Sequence, residues 1–445
     1  MSLVTPEKIQ RLQESLYDKA KREPECRFHF LYDKIHREDV LAHAYQLCRS
    51  NRGAPGVDGQ RFEEIEAEGV ELWLSRLQED LRAKTYRAQP VRRVMIPKAS
   101  GTGERPLGIP TIRDRVAQTA AKLVLEPIFE ADFDDAAYGY RPERSAVDAV
   151  ERVHQALRQG RTQVVDADLS QYFDTIPHAE LMKCLMRRIS DGAVLQLIKM
   201  WLKAPVEERD GRGNRRMSGG KKSTQGTPQG GVISPLLANV YMHRFIKAFR
   251  KYGLAERYGA ELVTYADDFV VLCQHGAREA LEVIRGWMTR IGLSLNARKT
   301  SVKDAWVEPF EFLGYRFGVL YSPRKGTRYL GASPSKKSIS RLRAAVRGHL
   351  HRGNQAPWPE VAQALNRTVR GWANYFSYGT VQGLRKKLDW YVHERVQAFL
   401  GRRHKVPGRG TRRFGQAAVF GKLGVVSMLA LPPRMPGGET CPRAG

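Results

Sequence analysis

Glu261-Leu-Val-Thr-Tyr-Ala-Asp-Asp-Phe-Val-Val-Leu-Cys273 sets two adjacent carboxylates inside an otherwise apolar stretch of strand character. Apolar residues before and after the pair predict a tight, largely buried hairpin with Asp267 and Asp268 at its tip. Two carboxylates in that position repel each other and lose hydration unless a cation compensates them. Mg²⁺, a hard and oxygen-seeking ion, suits that role. Tyr-x-Asp-Asp alone fits an exposed turn between strands equally well, so a second acidic site has to decide.

Gln163-Val-Val-Asp-Ala-Asp-Leu-Ser-Gln-Tyr-Phe-Asp-Thr-Ile-Pro177 supplies it, as a short Val-rich strand that ends in acids and passes through Ser170 toward a helical stretch. Asp166 and Asp168 share one strand face. Spacing does not choose between them, and Asp174 fits a cap or a solvent-facing position. Three carboxylates from two strand ends are a ligand set for two Mg²⁺ ions about 3.5 to 4 Å apart, which activate a hydroxyl nucleophile and stabilise the leaving oxygen in phosphoryl transfer. The chemistry implied is nucleotidyl transfer.

The surrounding chain has 445 residues, enough for roughly three domains at about 150 residues each. Hydrophobic residues make up 42% and charged residues 27%, which excludes wholesale disorder. Lys and Arg number 74 against 47 acids, a net charge of +27 that favours a polyanionic partner. The opening segment lacks an apolar signal region, and no later run approaches the roughly 18 uncharged apolar residues of a spanning helix. The expectation is no membrane partner and a cytoplasmic location. Five scattered cysteines, never in a C-x-x-C pair, support neither a disulfide framework nor a zinc site. Ser218-Gly-Gly-Lys-Lys-Ser-Thr224 does not satisfy the P-loop spacing.

The charge is polarised. Residues 321–413 hold 21 Lys and Arg against Glu360, Asp389 and Glu394, a net +18. Basic runs such as Arg385-Lys-Lys387 alternate there with aromatic segments, predicting helices with one basic face on a phosphate backbone. Residues 1–50 read as helices, followed by a break at Asn51-Arg-Gly-Ala-Pro-Gly-Val-Asp-Gly59. From about 60 to 320, short apolar runs alternate irregularly with helical patterns, predicting an α+β domain. Residues 207–226 read as a long exposed loop or hairpin.

Several further segments share an order with these acids: Val91-Arg-Arg-Val-Met-Ile-Pro-Lys98, Arg105-Pro-Leu-Gly-Ile-Pro110, Tyr138-Gly-Tyr-Arg-Pro142, Gly226-Thr-Pro-Gln-Gly-Gly231, Leu293-Ser-Leu-Asn-Ala-Arg-Lys-Thr300, Phe312-Leu-Gly-Tyr315 and Arg370-Gly-Trp-Ala-Asn-Tyr-Phe376. In that order they resemble the reverse transcriptase/maturase proteins encoded by group II introns, over most of the chain. The resemblance implies a right-hand polymerase fold: a helical N-terminal extension (1–50), fingers and palm with an antiparallel sheet (51–320), an all-α thumb or maturase domain X (321–400), and a short basic segment (401–445) similar to the start of a DNA-binding region. No H-N-H nuclease pattern forms around Cys441.

By the same resemblance, Asp168, Asp267 and Asp268 match the metal-binding carboxylates, so Asp168 is preferred over Asp166. Lys299 matches a lysine that protonates pyrophosphate. Lys98 and Arg105 match residues that grip the incoming triphosphate, and Phe173 an aromatic that excludes a ribose 2′-OH. Gln229 and Gly230 match a loop on the templating base pair; Leu313 and Gly314 match the primer grip. Arg370, Arg385, Lys386 and Lys387 fall on the expected RNA-binding surface. The implied cofactor is Mg²⁺, two ions per site, and the implied partners are group II intron RNA, an RNA template with its primer, target DNA and deoxynucleoside triphosphates, with a homodimer left open. A maturase without polymerase activity, or a reverse transcriptase of retron, diversity-generating or phage-defence systems, is the competing expectation.

Overall fold

The structure is a computed structural model that describes residues 3–97, 103–209, 214–322 and 325–434. Helices α1 (Glu7–Arg22), α2 (Tyr32–Ile35) and α3 (Glu38–Ser50) open the chain. In α3, Leu41, Ala44, Tyr45 and Cys48 recur at helical spacing and are all buried. They lie in one apolar cluster that runs from Ile9 to Leu293. The break after residue 50 is therefore a turn in the chain and not a division of the core.

After α4 (Phe62–Glu68) and α5 (Val70–Arg82), β1 (Val91–Pro97) and β2 (Glu104–Ile109) form an antiparallel hairpin. Lys98 lies outside the described residues. Helix α6 (Ile112–Glu130) is capped by Thr111 and buried on most sides. Helix α7 (Ala146–Arg158) starts from a capping box between Ser145 and Asp148. Then follow β3 (Gln163–Asp168), α8 (Tyr172–Thr175), α9 (His178–Met186), α10 (Gly192–Leu202) and the hairpin of β4 (Pro205–Arg209) and β5 (Arg215–Gly219). The polar stretch 207–226 thus contains most of a hairpin. Its strand β4 joins β1 in a short parallel pairing, giving the sheet order β2-β1-β4-β5.

The central sheet is completed beyond α11 (Ser234–Lys251) and α12 (Leu254–Arg257) by β6 (Glu261–Tyr265), β7 (Asp268–Cys273), α13 (Ala277–Arg290) and β8 (Ser301–Asp304). Its order is β6-β7-β3-β8, antiparallel throughout. Both faces are buried: Val165, Val271 and Cys273 face the large cluster, while Val164, Val270 and Leu272 face a second cluster with α7. Two covered faces explain why the strands read as continuous apolar runs.

β9 (Phe310–Phe312), β10 (Tyr315–Ser322) and β11 (Thr327–Pro334) form a third sheet, followed by α14 (Lys336–His349), α15 (Trp358–Tyr375) and α16 (Gln382–Arg403). The expected boundary at 321 falls inside the β10–β11 hairpin, so the helical unit begins at Lys336 rather than 321. The sequence reading missed this because Thr327–Pro334 pairs with β10, residue for residue, from Tyr315↔Pro334 to Ser322↔Thr327. The boundary at 400 also fails: α16 continues to Arg403, and Phe414, Val419, Val425 and Met428 pack into the same core as Leu388, Val392 and Val396. Arg434 then returns to Asp148 at the start of α7.

Candidate active site

The β3–β7 ladder fixes the two acidic segments against each other. Asp168, the last residue of β3, is the direct cross-strand partner of Asp268, the first residue of β7. Asp268 also faces Tyr265 across the β6–β7 hairpin, so Ala266 and Asp267 form its two-residue turn. Ala266 sits in the left-handed region at φ +57, unusual for a residue with a Cβ. A Cβ on Gly139 would stand 2.5 Å from the Ala266 nitrogen, so that position has room for glycine only. Asn239 on α11 donates to the Gly139 carbonyl at 2.8 Å and holds this close approach in place.

The three carboxylates carry more negative charge than their protein neighbours offset. Burial first, then the Asp267 and Asp168 charges, push the Asp268 carboxyl up to about 7. Burial and Asp168 also raise Asp267, while Lys299 and Arg105 oppose them. Lys299 donates to Asp168 Oδ2 at 2.9 Å, and that bond raises the lysine's own pKa. Asp166 lies on the same strand face but engages Lys303 on β8 at 3.7 Å, and burial lifts it to about 6.

Asn296 is a neighbour to which the sequence reading gave no role. Its backbone N–H donates to the Asp168 carbonyl at 2.8 Å and its side-chain amide to Asp168 Oδ2 at 3.3 Å. Tyr140 is another. It stands at φ +59, half-exposed, with its ring edge-on to Phe173 at 6.3 Å between centroids. Burial raises its phenol, as do the Asp267 charge and Tyr265. The adjacent Gly-Tyr after Tyr138 was the available signal, since a glycine in that segment marks a close backbone approach.

The loop holding Gln229 and Gly230 packs on β2. Gly108 N–H donates to the Gln229 carbonyl at 2.5 Å, and a Cβ on Gly230, at φ +107, would meet the Gly108 carbonyl oxygen. The Gln229 amide donates to Asp174 at 3.0 Å, so Asp174 serves this loop rather than capping a helix. Thr227 N–H donates to the Phe173 carbonyl at 2.6 Å, which ties the same loop to the aromatic. Arg105 is exposed on β2 beside it.

Leu313 and Gly314 form the two-residue turn between β9 and β10, both with positive φ (+49 and +78), as a primed hairpin turn requires. The helical unit holds both carbonyls. Tyr375 Oη donates to the Leu313 oxygen at 2.9 Å, and Ser338 Oγ and Ser335 N–H each donate to the Gly314 oxygen at 2.9 Å.

Arg370, Lys386 and Lys387 are exposed on α15 and α16. Arg385 is not. It is fully buried and donates to the carbonyls of Ala373 at 2.8 Å, Leu431 at 2.6 Å and Met428 at 3.3 Å. The expectation that Arg385 belongs to an RNA-facing surface is therefore corrected: its guanidinium satisfies a helix end and the segment folded over it. Of the aromatics in the same region, Phe376 is buried, Trp372 partly so, and Tyr375 is 37% exposed.

The oxygen donors of Asp168, Asp267 and Asp268, with their surplus charge, fit a hard divalent cation chemically. They are not closed around a common point: among the described residues no three His, Cys, Asp or Glu side chains converge to hold an ion. Nor is any helix of the described residues long and apolar enough to cross a membrane.

An antiparallel sheet presenting paired carboxylates beside a glycine-bearing loop and a basic finger strand defines a polymerase palm. Residues 96–317 match the reverse transcriptase (RNA-dependent DNA polymerase) family, and residues 339–416 match the group II intron maturase-specific domain. The chain is 34% identical to Protein YkfC of Escherichia coli K12 over 72% of this chain and 90% of that protein. It is 36% identical to the group II intron-encoded protein LtrA of Lactococcus lactis over 49% of this chain and 34% of LtrA. An uncharacterized 91 kDa protein in the cob intron of Schizosaccharomyces pombe is 26% identical over 78% of this chain and half of its own length. The chain thus spans nearly all of one relative and half or less of the other two.

This chain belongs to the reverse transcriptase/maturase family of group II introns. Its enzyme class is RNA-directed DNA polymerase, a class that generally uses divalent metal ions, and its maturase-specific domain implies binding of intron RNA.

Proposed function

We propose that this protein extends a primer on an RNA template by two-metal nucleotidyl transfer and uses its helical unit as a thumb that holds group II intron RNA, assisting splicing and retrohoming into target DNA. The observation that carries the reading is the Asp168↔Asp268 cross-strand pair with Asp267 at the adjoining turn, a part-buried negative cluster in which Asp268 is lifted to about 7. Asp168, Asp267 and Asp268 would hold two Mg²⁺ ions, which when bound activate the primer hydroxyl and offset charge on the leaving pyrophosphate.

The chain's own groups do the rest. Arg105 supplies a planar fork for phosphate oxygens, and Lys98, by the family resemblance, a point charge for the same triphosphate. Phe173, with Tyr140 edge-on to it, forms an aromatic wall against the sugar of a deoxynucleoside triphosphate. Gln229 and Gly230 face the templating pair, and the Leu313–Gly314 turn positions the primer end. Lys299, held protonated on Asp168, is a proton donor at the cluster. Arg370, Lys386 and Lys387 contact RNA phosphates.

Primer extension on an RNA template with deoxynucleotides and Mg²⁺ tests this reading, comparing the natural protein with an Asp267→Ala, Asp268→Ala variant. Extension by the natural protein and a loss of at least about 10³-fold in the variant is expected. No extension by either, with tight RNA binding retained, would leave a maturase that acts only by binding RNA.

A further inference from the structure

A second concentration of charge lies away from the carboxylate cluster. The loop after α1, the end of α6, α9 and α11 enclose an open cavity of about 710 Å³. Six cations line it, Arg27, Lys183, Arg187, Arg188, Arg244 and Lys247, against two acids, Glu25 and Asp132. It shares no lining residue with the cluster of Asp168, Asp267 and Asp268.

The six cations divide into those the fold uses and those it leaves over. Arg188 is buried; it donates to the carbonyls of Ala20 at 2.7 Å and Glu23 at 2.9 Å and pairs with Asp132 at 3.2 Å. It closes the floor. Lys183 and Arg244 share Glu180, at 2.7 and 3.0 Å. Arg27, Arg187 and Lys247 are exposed, and among the described residues none has an acid within ion-pair distance. They come from three separate elements and surround one opening.

His243, in the cavity wall, reports the same field. Its ring packs edge-on to Phe133 at 5.7 Å, and both ring nitrogens lack a hydrogen-bond partner. Burial first and then the Lys247 charge push its pKa down to about 4, with Arg141 and Arg187 acting in the same direction against Asp134. Three exposed cations around one opening, none with an acid within ion-pair distance among the described residues, set up a positive local potential that attracts anions. Guanidinium and ammonium groups with free donors match phosphate oxygens.

We propose that this cavity binds phosphate groups, supplied by the backbone of RNA held away from the carboxylate cluster. The source of phosphate rests on the RNA-binding reading above; the site itself does not. RNA is favoured because the free cations stand at an exposed rim rather than in a closed pocket, so successive phosphates of a passing strand can reach them.

The test uses the full chain, a fluorescein-labelled RNA hairpin and inorganic tripolyphosphate. It compares the natural protein with Arg187→Gln, Lys247→Gln. Expected is a slope of log Kd against log salt lower by about 1 to 2, since each lost phosphate contact removes about 0.7 to 0.9. Tripolyphosphate should raise the unfolding midpoint of the natural protein and not of the variant. An unchanged salt slope with tripolyphosphate stabilisation lost would overturn RNA as the source and leave a free-polyphosphate site. No change in either readout would overturn the site. A natural protein that binds no RNA yet is stabilised by tripolyphosphate through these residues would refute the RNA-binding reading and keep the phosphate site. Arg27→Gln, on the loop after α1, gives the same readouts should the double variant fold poorly.

Discussion

The central sheet and the C-terminal helical unit each gather charge of one sign, and they do so in opposite ways. In the sheet, Asp168, Asp267 and Asp268 are part-buried; ladder register fixes Asp168 and Asp268, and the β6–β7 turn fixes Asp267 between them. In the helical unit, residues 336–413 hold 18 Lys and Arg against three acids, a net +15, and most of those cations described are exposed. Buried charge is expensive, so each group needs a specific partner and can be read singly. Exposed charge costs little, so it carries meaning only in aggregate and any one member can be assigned wrongly. Arg385, the buried member of the basic run, behaves like the sheet acids.

Arg385→Met should therefore give the largest effect that separates the two regions. It leaves the carbonyls of Ala373, Met428 and Leu431 without their donor and should cost about 3 kcal/mol in denaturant unfolding. A variant of undiminished stability but weakened RNA affinity would return Arg385 to the surface and dissolve the contrast. Next comes the uncompensated charge of the sheet. Saturating Mg²⁺ should stabilise the natural protein by about 1 to 3 kcal/mol and leave the Asp267→Ala, Asp268→Ala variant unmoved. An equal rise in both would place the ion elsewhere.

Lys386→Gln, Lys387→Gln should weaken RNA binding by about tenfold or less at low salt and flatten its salt dependence by about 1 to 2 log units per log unit, with unfolding unchanged. A natural dissociation constant that ignores salt would contradict the role given to these faces. The smallest effect belongs to the junction between the regions. Tyr375→Phe removes the hydrogen bond to Leu313, worth about 1 kcal/mol, and should raise KM for the primer severalfold while kcat changes little. An unaltered KM would separate the turn from primer binding.

The acidic hairpin was legible only with the second acidic segment beside it, and the two buried faces of the sheet account for the apolar run that holds the pair. The polar, glycine-rich composition of 207–226 left a loop and a hairpin equally open, and the pairing of β4 with β5 decides for the hairpin. The boundary at 321 was not legible, since Thr327–Pro334 falls inside the basic segment 321–413 and becomes a strand only by pairing with β10. Asn296 escaped because its role comes from a loop distant in sequence that folds onto β3, and a neutral amide carries no charge signal. The Arg385 orientation depends on residues 428 and 431 folding over α16, a tertiary contact that no local pattern encodes. Lys98 and Cys441 lie outside the described residues.

The Leu313–Gly314 turn has a mechanical consequence. Its two carbonyls are pinned by the first turn of α14 and the last turn of α15, while the far faces of the same unit carry exposed cations. The turn is therefore fastened to two helices at once, so that its position and the position of the charged faces are set by the same rigid attachment.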